Sequence, residues 1–223
     1  MFHVKRVLLL ACFFLFSSLS FSQGVLTLKD KPFAYKAVVD SSLLKSLNAS
    51  SSYKSLSPVE QESVYWLNYF RQNPKRFWNT VMREFLLQFP EAKSSYTGSL
   101  EADILKAPQS LSIVLPDSGL FAMATLHAFD LKKRNGVISH VSSSGKTFVQ
   151  RIHAAGKYTC GAENIFNGSY NGLEALIALL IDHAVPDKGH RVNILDPKFQ
   201  LIGLSFIQLS SGKGILVQDF ACR

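Results

Sequence analysis

Apolar residues recur at helical spacing through most of the chain and change to strand-like alternation only near its C-terminus. The alternating runs lie at 202–209 and 215–220, and the glycine-bearing segment between them predicts a terminal β-hairpin. Strands that follow a series of helices, rather than alternating with them, indicate an α+β layered domain and argue against a doubly wound parallel sheet.

Capping residues set the limits of the predicted helices. Ser57 and Glu60 have the spacing of a capping box around Pro58, a residue that suits the first helical turn. Glycine and proline mark most of the other ends. The pattern predicts helices over 58–73, 74–89, 117–135, 148–155 and 172–185. Residues 91–115 are mixed and show little helical periodicity.

The N-terminus has the organisation of a secretory signal peptide over residues 1–22. Lys5 and Arg6 precede an apolar run at 7–16, and the small residues Ser20 and Ser22 suit cleavage before Gln23. The run is shorter than the roughly 20 residues that a membrane helix needs, and no other stretch is long enough. The sequence predicts a secreted or periplasmic protein with no transmembrane segment in the mature chain, the alternative being an uncleaved anchor.

Residues 23–56 are predicted to be a serine-rich leader or spacer, followed by one domain over 57–223. Eight serines fall within residues 41–57, a composition that favours loop over packed structure. Residues 25–39 show some alternation of apolar and polar residues, which is compatible with an edge strand.

The net charge limits the classes of partner, and the cysteine content indicates a disulfide. The chain carries 24 basic and 16 acidic residues, a net charge of +8 that falls to +6 without the signal peptide. This modest excess suits an anionic envelope or phospholipid surface, and no nucleic-acid recognition motif accompanies it. The mature chain keeps Cys160 and Cys222, which predict one disulfide in an exported protein, or else two separately buried thiols.

Four polar residues are candidates for a functional site. The sequence lacks a phosphate-binding loop, a His-Glu-x-x-His motif, a Cys-x-x-Cys pair and a Gly-x-Ser-x-Gly elbow. It does contain His140, a turn-like segment with Glu163, Asp182 at the end of an apolar helix, and His190. Two imidazoles and two carboxylates suit a divalent metal or acid–base chemistry. Their spacing alone does not bring them together, and each also has a purely structural interpretation.

Short motifs in a fixed order give the chain a family resemblance. They are Trp66 to Pro74, Leu115-Pro116-Asp117, His127 to Leu131, Ile138-Ser139-His140, Gly145-Lys146-Thr147 with Arg151, Gly161 to Ile165, Gly189 to Leu195, and Ile202-Gly203. This series resembles the CAP superfamily (SCP-like; cysteine-rich secretory, antigen-5 and pathogenesis-related-1 proteins), in particular its bacterial branch. The resemblance covers about residues 57–223.

The resemblance implies a three-layer α-β-α sandwich with a small antiparallel sheet, and a cleft lined by two histidines and two acids. Position by position, His140, Glu163 and His190 match this tetrad, and Asp182 stands where the family usually has glutamate. Aspartate is one methylene shorter, which argues against direct metal ligation by Asp182. We expect Arg191 and Asn193 to orient the segment that carries His190.

Three functional hypotheses follow from the resemblance. In the first, the chain is a non-enzymatic binding module for a small hydrophobic molecule, a lipid or an envelope component, and His140 and His190 hold a divalent metal such as zinc, with Glu163 as a further candidate ligand. In the second, the same cleft belongs to a protease-like hydrolase in which Glu163, His140 and His190 are catalytic, or in which Ser139 or Ser142 is the nucleophile. In the third, the tetrad only stabilises an envelope interaction protein.

Overall fold

The protein is described by a computed structural model that covers residues 31–33, 35–36 and 39–223. The predicted signal peptide, and most of the alternating segment at 25–39, lie outside the described residues.

Two short helices occupy the serine-rich segment, where the composition predicted a loop. They are α1 (Ser41–Asn48) and α2 (Ser51–Lys54). The loop prediction is wrong because the serines lie at helix caps and on exposed positions, while the apolar residues between them are buried. Leu43 and Leu47 have no exposed surface, and Tyr53 packs into the same core.

The first half of the domain is helical, as predicted. It consists of α3 (Pro58–Gln72), α4 (Pro74–Phe77), a π-helical turn (Trp78–Met82) and α5 (Arg83–Gln88). The predicted capping box of Ser57 and Glu60 is present. A further helix, α6 (Ser95–Lys106), lies in the segment with little periodicity. It buries only Thr97, Leu100 and Ile104, too narrow a stripe to detect in the sequence.

The second half of the domain contains four helices. They are α7 (Ser118–Lys133), α8 (Phe148–Ala155), α9 (Gly172–Ile181) and α10 (Gly189–Leu195). The first two match their predicted limits closely. Helix α9 ends earlier than its proline indicated, because Asp182 adopts a left-handed conformation with φ of 53° and stops the helix.

A four-stranded sheet in the order β1-β3-β4-β2 lies between the helices. Its strands are β1 (Leu115–Pro116), β2 (Gly161–Ser169), β3 (Leu201–Gln208) and β4 (Gly214–Ala221). The predicted hairpin is confirmed as β3–β4, and β2 pairs antiparallel with β4. Two predictions need correction. The segment around Glu163 is a strand rather than a turn, and the two-residue β1 is parallel to β3.

Helices cover both faces of the sheet, which confirms the α+β sandwich. Helices α3, α9 and α10 pack on one face, and α7 and α8 pack on the other. Helix α7 lies so close to β3 that a methyl group at Gly203 would come within 2.1 Å of the Leu120 carbonyl carbon. Glycine at this position therefore sets the distance between helix and sheet.

The predicted disulfide is confirmed. Cys160 and Cys222 are bonded, with their Cα atoms 5.2 Å apart, and they join the beginning of β2 to the end of β4. Within the part of the chain that the structure describes, no helix is long and apolar enough to cross a membrane.

Candidate ligand-binding site

Glu163 is the centre of a buried polar cluster on β2. Its side chain points to the α7 and α8 face of the sheet, where the Nδ1 atom of His140 lies 2.8 Å from its Oε1 atom. The guanidinium of Arg151, on α8, donates to the other carboxylate oxygen. The Nε2 atom of His127, on α7, lies 3.9 Å from that same oxygen. Both oxygens of Glu163 are therefore held by protein groups.

The charge of this carboxylate is stabilised by its neighbours. Burial alone would raise the pKa of Glu163, but the hydrogen bond from His140 and the charge of Arg151 outweigh it, so the pKa lies below its usual range. Burial lowers the pKa of His127, which favours a neutral ring. Asp219, fully buried and directly opposite Glu163 in the β2–β4 register, has its pKa raised by burial and by the Glu163 charge. Glu163 therefore carries the negative charge of the cluster.

A second histidine–carboxylate pair forms between α9 and α10. The Nδ1 atom of His190 lies 2.7 Å from Asp182 Oδ1. The other oxygen of Asp182 accepts from the backbone N–H groups of His190 at 3.0 Å and Arg191 at 3.2 Å. Asp182 therefore holds both the imidazole and the first turn of α10, a role for which its shorter side chain is sufficient.

The two pairs border the same edge strand but have no direct contact with each other among the described residues. Glu163 and Asn164 are adjacent in β2, so their side chains point to opposite faces of the sheet. The amide of Asn164 donates to the His190 carbonyl oxygen at 3.2 Å. The pair of His140 and Glu163 and the segment carrying His190 thus approach β2 from its two faces.

This arrangement does not form a preassembled metal site. Over the residues that the structure describes, no group of three or more His, Cys, Asp or Glu side chains is placed to hold a metal ion. Glu163 already has both oxygens occupied, by His140 and Arg151. Each predicted histidine ligand does have the carboxylate partner at Nδ1 that metal-bound imidazoles commonly have.

The residues expected to orient His190 act in different ways. Arg191 is buried, and its guanidinium points away from the site to the Leu180 and Ile181 carbonyl oxygens and to Asp103. It fixes α10 on α9 and α6. Asn193 donates to the Asn164 side chain at 2.8 Å and so joins α10 to β2.

His183 and the two serines considered as nucleophiles lie outside the two pairs. His183 stacks beside Tyr96, with ring centroids 4.8 Å apart. The Ser139 hydroxyl donates to the Val141 carbonyl oxygen, and the Ser142 hydroxyl contacts Ser144. Within the described residues, neither serine hydroxyl is hydrogen-bonded to a histidine ring, so the contact needed for a serine nucleophile is not formed.

Sequence reasoning gave no site role to three members of the Glu163 cluster: His127, which was interpreted as a partly buried helix residue, Arg151 and Asp219. Arg151 fell within the family motifs, but nothing in its spacing linked it to Glu163. Asp219 interrupts the inward-facing series Ile215, Val217 and Ala221 on β4. A carboxylate in such a buried alternating row is the signal that could have identified it.

Replacing Glu163 with glutamine should lower the free energy of unfolding at pH 7 by about 2 kcal/mol. The substitution leaves Arg151 without its buried counter-charge, and Asp219, one strand away, offsets part of the loss. Because the folded-state pKa of Glu163 is lowered, its contribution is present above the unfolded-state pKa near 4.3 and is lost as the pH falls below it. Urea denaturation of both proteins from about pH 3 to 7 measures this. A difference between them that does not shrink on acidification would contradict the assignment.

Comparison with known proteins agrees with the fold and the sequence motifs. The family profile described as "CAP: Cysteine-rich secretory protein family" matches residues 65–220, well over half of the chain. The chain therefore belongs to the CAP, or cysteine-rich secretory protein, family, which confirms the predicted resemblance. No curated protein matches the sequence significantly.

Solved bacterial structures are similar to this chain at low sequence identity. An extracellular SCP-domain protein from Bacillus anthracis is 17% identical, with a TM-score of 0.48 over 85% of this chain and 45% of its own. An outer surface protein of Borrelia burgdorferi is 22% identical, with a TM-score of 0.43 over 57% of this chain and 89% of its own. A cysteine-rich secretory protein from Staphylococcus aureus is 18% identical, with a TM-score of 0.37 over 60% and 39%. This chain thus spans less than half the length of the first of these proteins.

Proposed function

We propose that this chain is an exported, non-enzymatic binding module of the CAP family. Its ligand site is the region along β2 where the two histidine–carboxylate pairs lie, and its ligand is a small hydrophobic molecule or an envelope component. The observation that carries the proposal is that Glu163 and Asp182 each fix the Nδ1 atom of one histidine. This contact fixes the orientation of each ring and leaves Nε2 as the ring nitrogen that the carboxylate does not hold.

The arrangement supports binding more than turnover. A general base needs a free carboxylate or imidazole within reach of the proton it removes. Glu163 is instead held by both Arg151 and His140, and its lowered pKa makes it a poor proton acceptor. These contacts favour a fixed polar lining over an acid–base group.

A divalent metal, with zinc as the first candidate, is part of the proposal for His140 and His190. Carboxylate-held neutral imidazoles are the usual form of histidine ligands. Because the two histidines belong to separate pairs, metal binding would require the α10 segment and the His140 loop to approach each other. When bound, zinc would supply open coordination positions for a ligand.

Metal content tests this part of the proposal. We expect about one zinc per mature chain in the wild type, and none in His140→Ala or His190→Ala, because one imidazole cannot replace the pair. His153→Ala, at an exposed position on α8, is the matched control and should keep its metal. Affinity should fall as the pH drops through about 6.5, where imidazole becomes protonated. Absence of zinc from the wild type, even after incubation with zinc near pH 7.5, would show that the metal proposal is wrong.

A separate experiment tests the binding function without a metal. The mature protein is mixed with vesicles of bacterial envelope lipids in the presence of a chelator, and association is measured by sedimentation. We expect His140→Ala and His190→Ala to weaken binding relative to His153→Ala. Equal binding by the wild type and all three variants would show that the β2 region takes no part in binding.

A further inference from the structure

A cavity of about 450 Å³ lies between α7 and α8, on the outer side of the Arg151–Glu163 ion pair. This volume falls within the range of small-molecule pockets in proteins, roughly 300–1,000 Å³. The cavity is lined by both helices and by the turn that precedes α8. His140, Asp182 and His190 are not among its lining residues, but Arg151 and His127 are, so the cavity adjoins the Glu163 cluster.

One end of the cavity is closed by tight helix packing. A methyl group at Gly119 would come within 2.6 Å of the Tyr158 hydroxyl and 2.9 Å of the Ala155 carbonyl oxygen. The Tyr158 hydroxyl donates to Asp117, which caps α7, at 2.6 Å. The absence of a side chain at Gly119 therefore brings the beginning of α7 against the end of α8.

The other end is formed by the turn at 142–146. The Ser143 backbone N–H donates to Asp130 Oδ2 at 2.8 Å, which ties the turn to α7. The Lys146 N–H donates to the Ser142 hydroxyl at 3.1 Å, and Gly145 closes the turn with φ of 78°. The cavity is thus a slot with a fixed wall at each end.

The closed end of the slot is apolar. Its lining there consists of Gly119, Ala122, Met123, Ala154 and Ala155. Leu126, which also lines the slot, is 74% exposed. A ligand in the slot would cover this surface and gain the free energy of apolar burial.

The turn end of the slot is polar and has a positive bias. Lys146 is exposed, and no acceptor for its ammonium group is found among the described residues. It stands just before the N-terminus of α8, where the helix dipole adds partial positive charge. The acidic group at this end, Asp130, is already engaged by Ser143 and lies 4.0 Å from Arg134.

The inner wall at the turn end keeps unused hydrogen-bonding capacity. Arg151 Nε and His127 Nδ1 are both buried, and neither has a partner within the described part of the chain. Buried polar atoms without partners are uncommon in native proteins and call for an explanation. Both belong to residues that line the slot at the end where Lys146 stands. Arg151 Nε is a donor, whereas His127 Nδ1 is an acceptor, because Nε2 of the same ring donates to the Ser139 carbonyl oxygen at 2.8 Å.

We propose that this slot binds a small amphipathic anion, with its aliphatic body between α7 and α8 and its carboxylate beside Lys146. The gradient from an apolar closed end to a cationic, hydroxyl-bearing turn matches such a molecule and does not match a uniformly polar or uniformly apolar one. The slot shares Arg151 and His127 with the Glu163 cluster, but the inference does not require His140 or His190 to bind a ligand.

Binding of decanoate, followed by titration calorimetry, tests the proposal. We expect the wild type to bind decanoate, and Ala155→Trp or Ala122→Trp to weaken binding by at least about tenfold, because an indole at either position fills the slot. Lys146→Gln should raise Kd by about three- to fivefold, as expected for one exposed charge pair. Lys106→Gln, an exposed lysine on α6 remote from the slot, is the matched control and should have no effect.

Two further ligands separate the contribution of the aliphatic chain from that of the carboxylate. The alcohol 1-decanol should bind more weakly than decanoate, and acetate should bind more weakly than either, since each lacks one half of the amphiphile. His190→Ala should bind decanoate normally, because His190 is held by Asp182 and contacts none of the slot residues, and this result distinguishes the slot from the His190 pair. Circular dichroism checks that the tryptophan variants are folded, and Ala122, at an exposed position, provides the milder of the two substitutions.

The proposal is overturned if the wild type does not bind decanoate, or if folded tryptophan variants bind it as tightly as the wild type. It is equally overturned if 1-decanol binds as tightly as decanoate, because Lys146 then plays no part in recognition.

Discussion

Replacing Arg71 with methionine should lower the free energy of unfolding by about 3–5 kcal/mol, the range for breaking a buried charged network. The guanidinium has no exposed surface. It donates hydrogen bonds to the backbone carbonyl oxygens of Ser112, Ile194, Asp196 and Phe199. Methionine replaces the aliphatic part of the side chain and removes all of these donors at once. Equilibrium denaturation in urea or guanidinium chloride measures the loss.

The same substitution at an exposed arginine gives the control. Arg76 donates to Asp40 at 3.0 Å with its side chain 45% exposed, so Arg76→Met should cost less than about 1 kcal/mol. Burial lowers the pKa of Arg71 to about 10, which leaves the guanidinium protonated at neutral pH. Equal effects of the two substitutions would show that the Arg71 contacts contribute little.

Removing the disulfide should cost about 4 kcal/mol. Cys160 and Cys222 are 62 residues apart, and the chain-entropy estimate for closing a loop of this length gives about that value. The bond also holds the end of β4 beside the beginning of β2, three residues from Glu163. We expect a Cys160→Ser, Cys222→Ser double variant to show this loss in chemical denaturation.

A reducing agent provides the control for the disulfide prediction. Dithiothreitol should lower the unfolding midpoint of the wild type to that of the double variant and leave the double variant unchanged. If the double variant is as stable as the oxidised wild type, the bond does not constrain the unfolded chain as the estimate assumes.

Helix limits were largely predictable because the signals that set them are local. The Ser57–Glu60 capping box, the glycine after α8 and the glycine-bearing loop of the β3–β4 hairpin all act within a few residues. Helices α1 and α2 were missed for the opposite reason. Their serine content resembles a loop, and only the burial of Leu43 and Leu47 in a distant core makes them helical.

The four residues of the two histidine–carboxylate pairs were predictable from the sequence, but their arrangement and their other partners were not. His140, Glu163, Asp182 and His190 were identified through motifs, and the structure places them as two histidine–carboxylate pairs. The two pairs are separate because Glu163 and Asn164 are adjacent in β2, and strand alternation directs their side chains to opposite faces of the sheet. No spacing in the sequence shows that Arg151 completes the first pair, because that contact depends on where α8 packs.

The sequence by itself determined the class of fold and the family, predicted the disulfide, and identified the four residues that form the two histidine–carboxylate pairs. These depend on short-range periodicity, capping and ordered motifs, all of which are written along the chain. The tertiary structure alone decided which histidine meets which carboxylate, why Asp219 lies beside Glu163, and where α7 and α8 leave a slot between them. The physical reason is that such contacts join residues far apart in sequence, and only the packing of helices on the sheet brings them within a few ångströms.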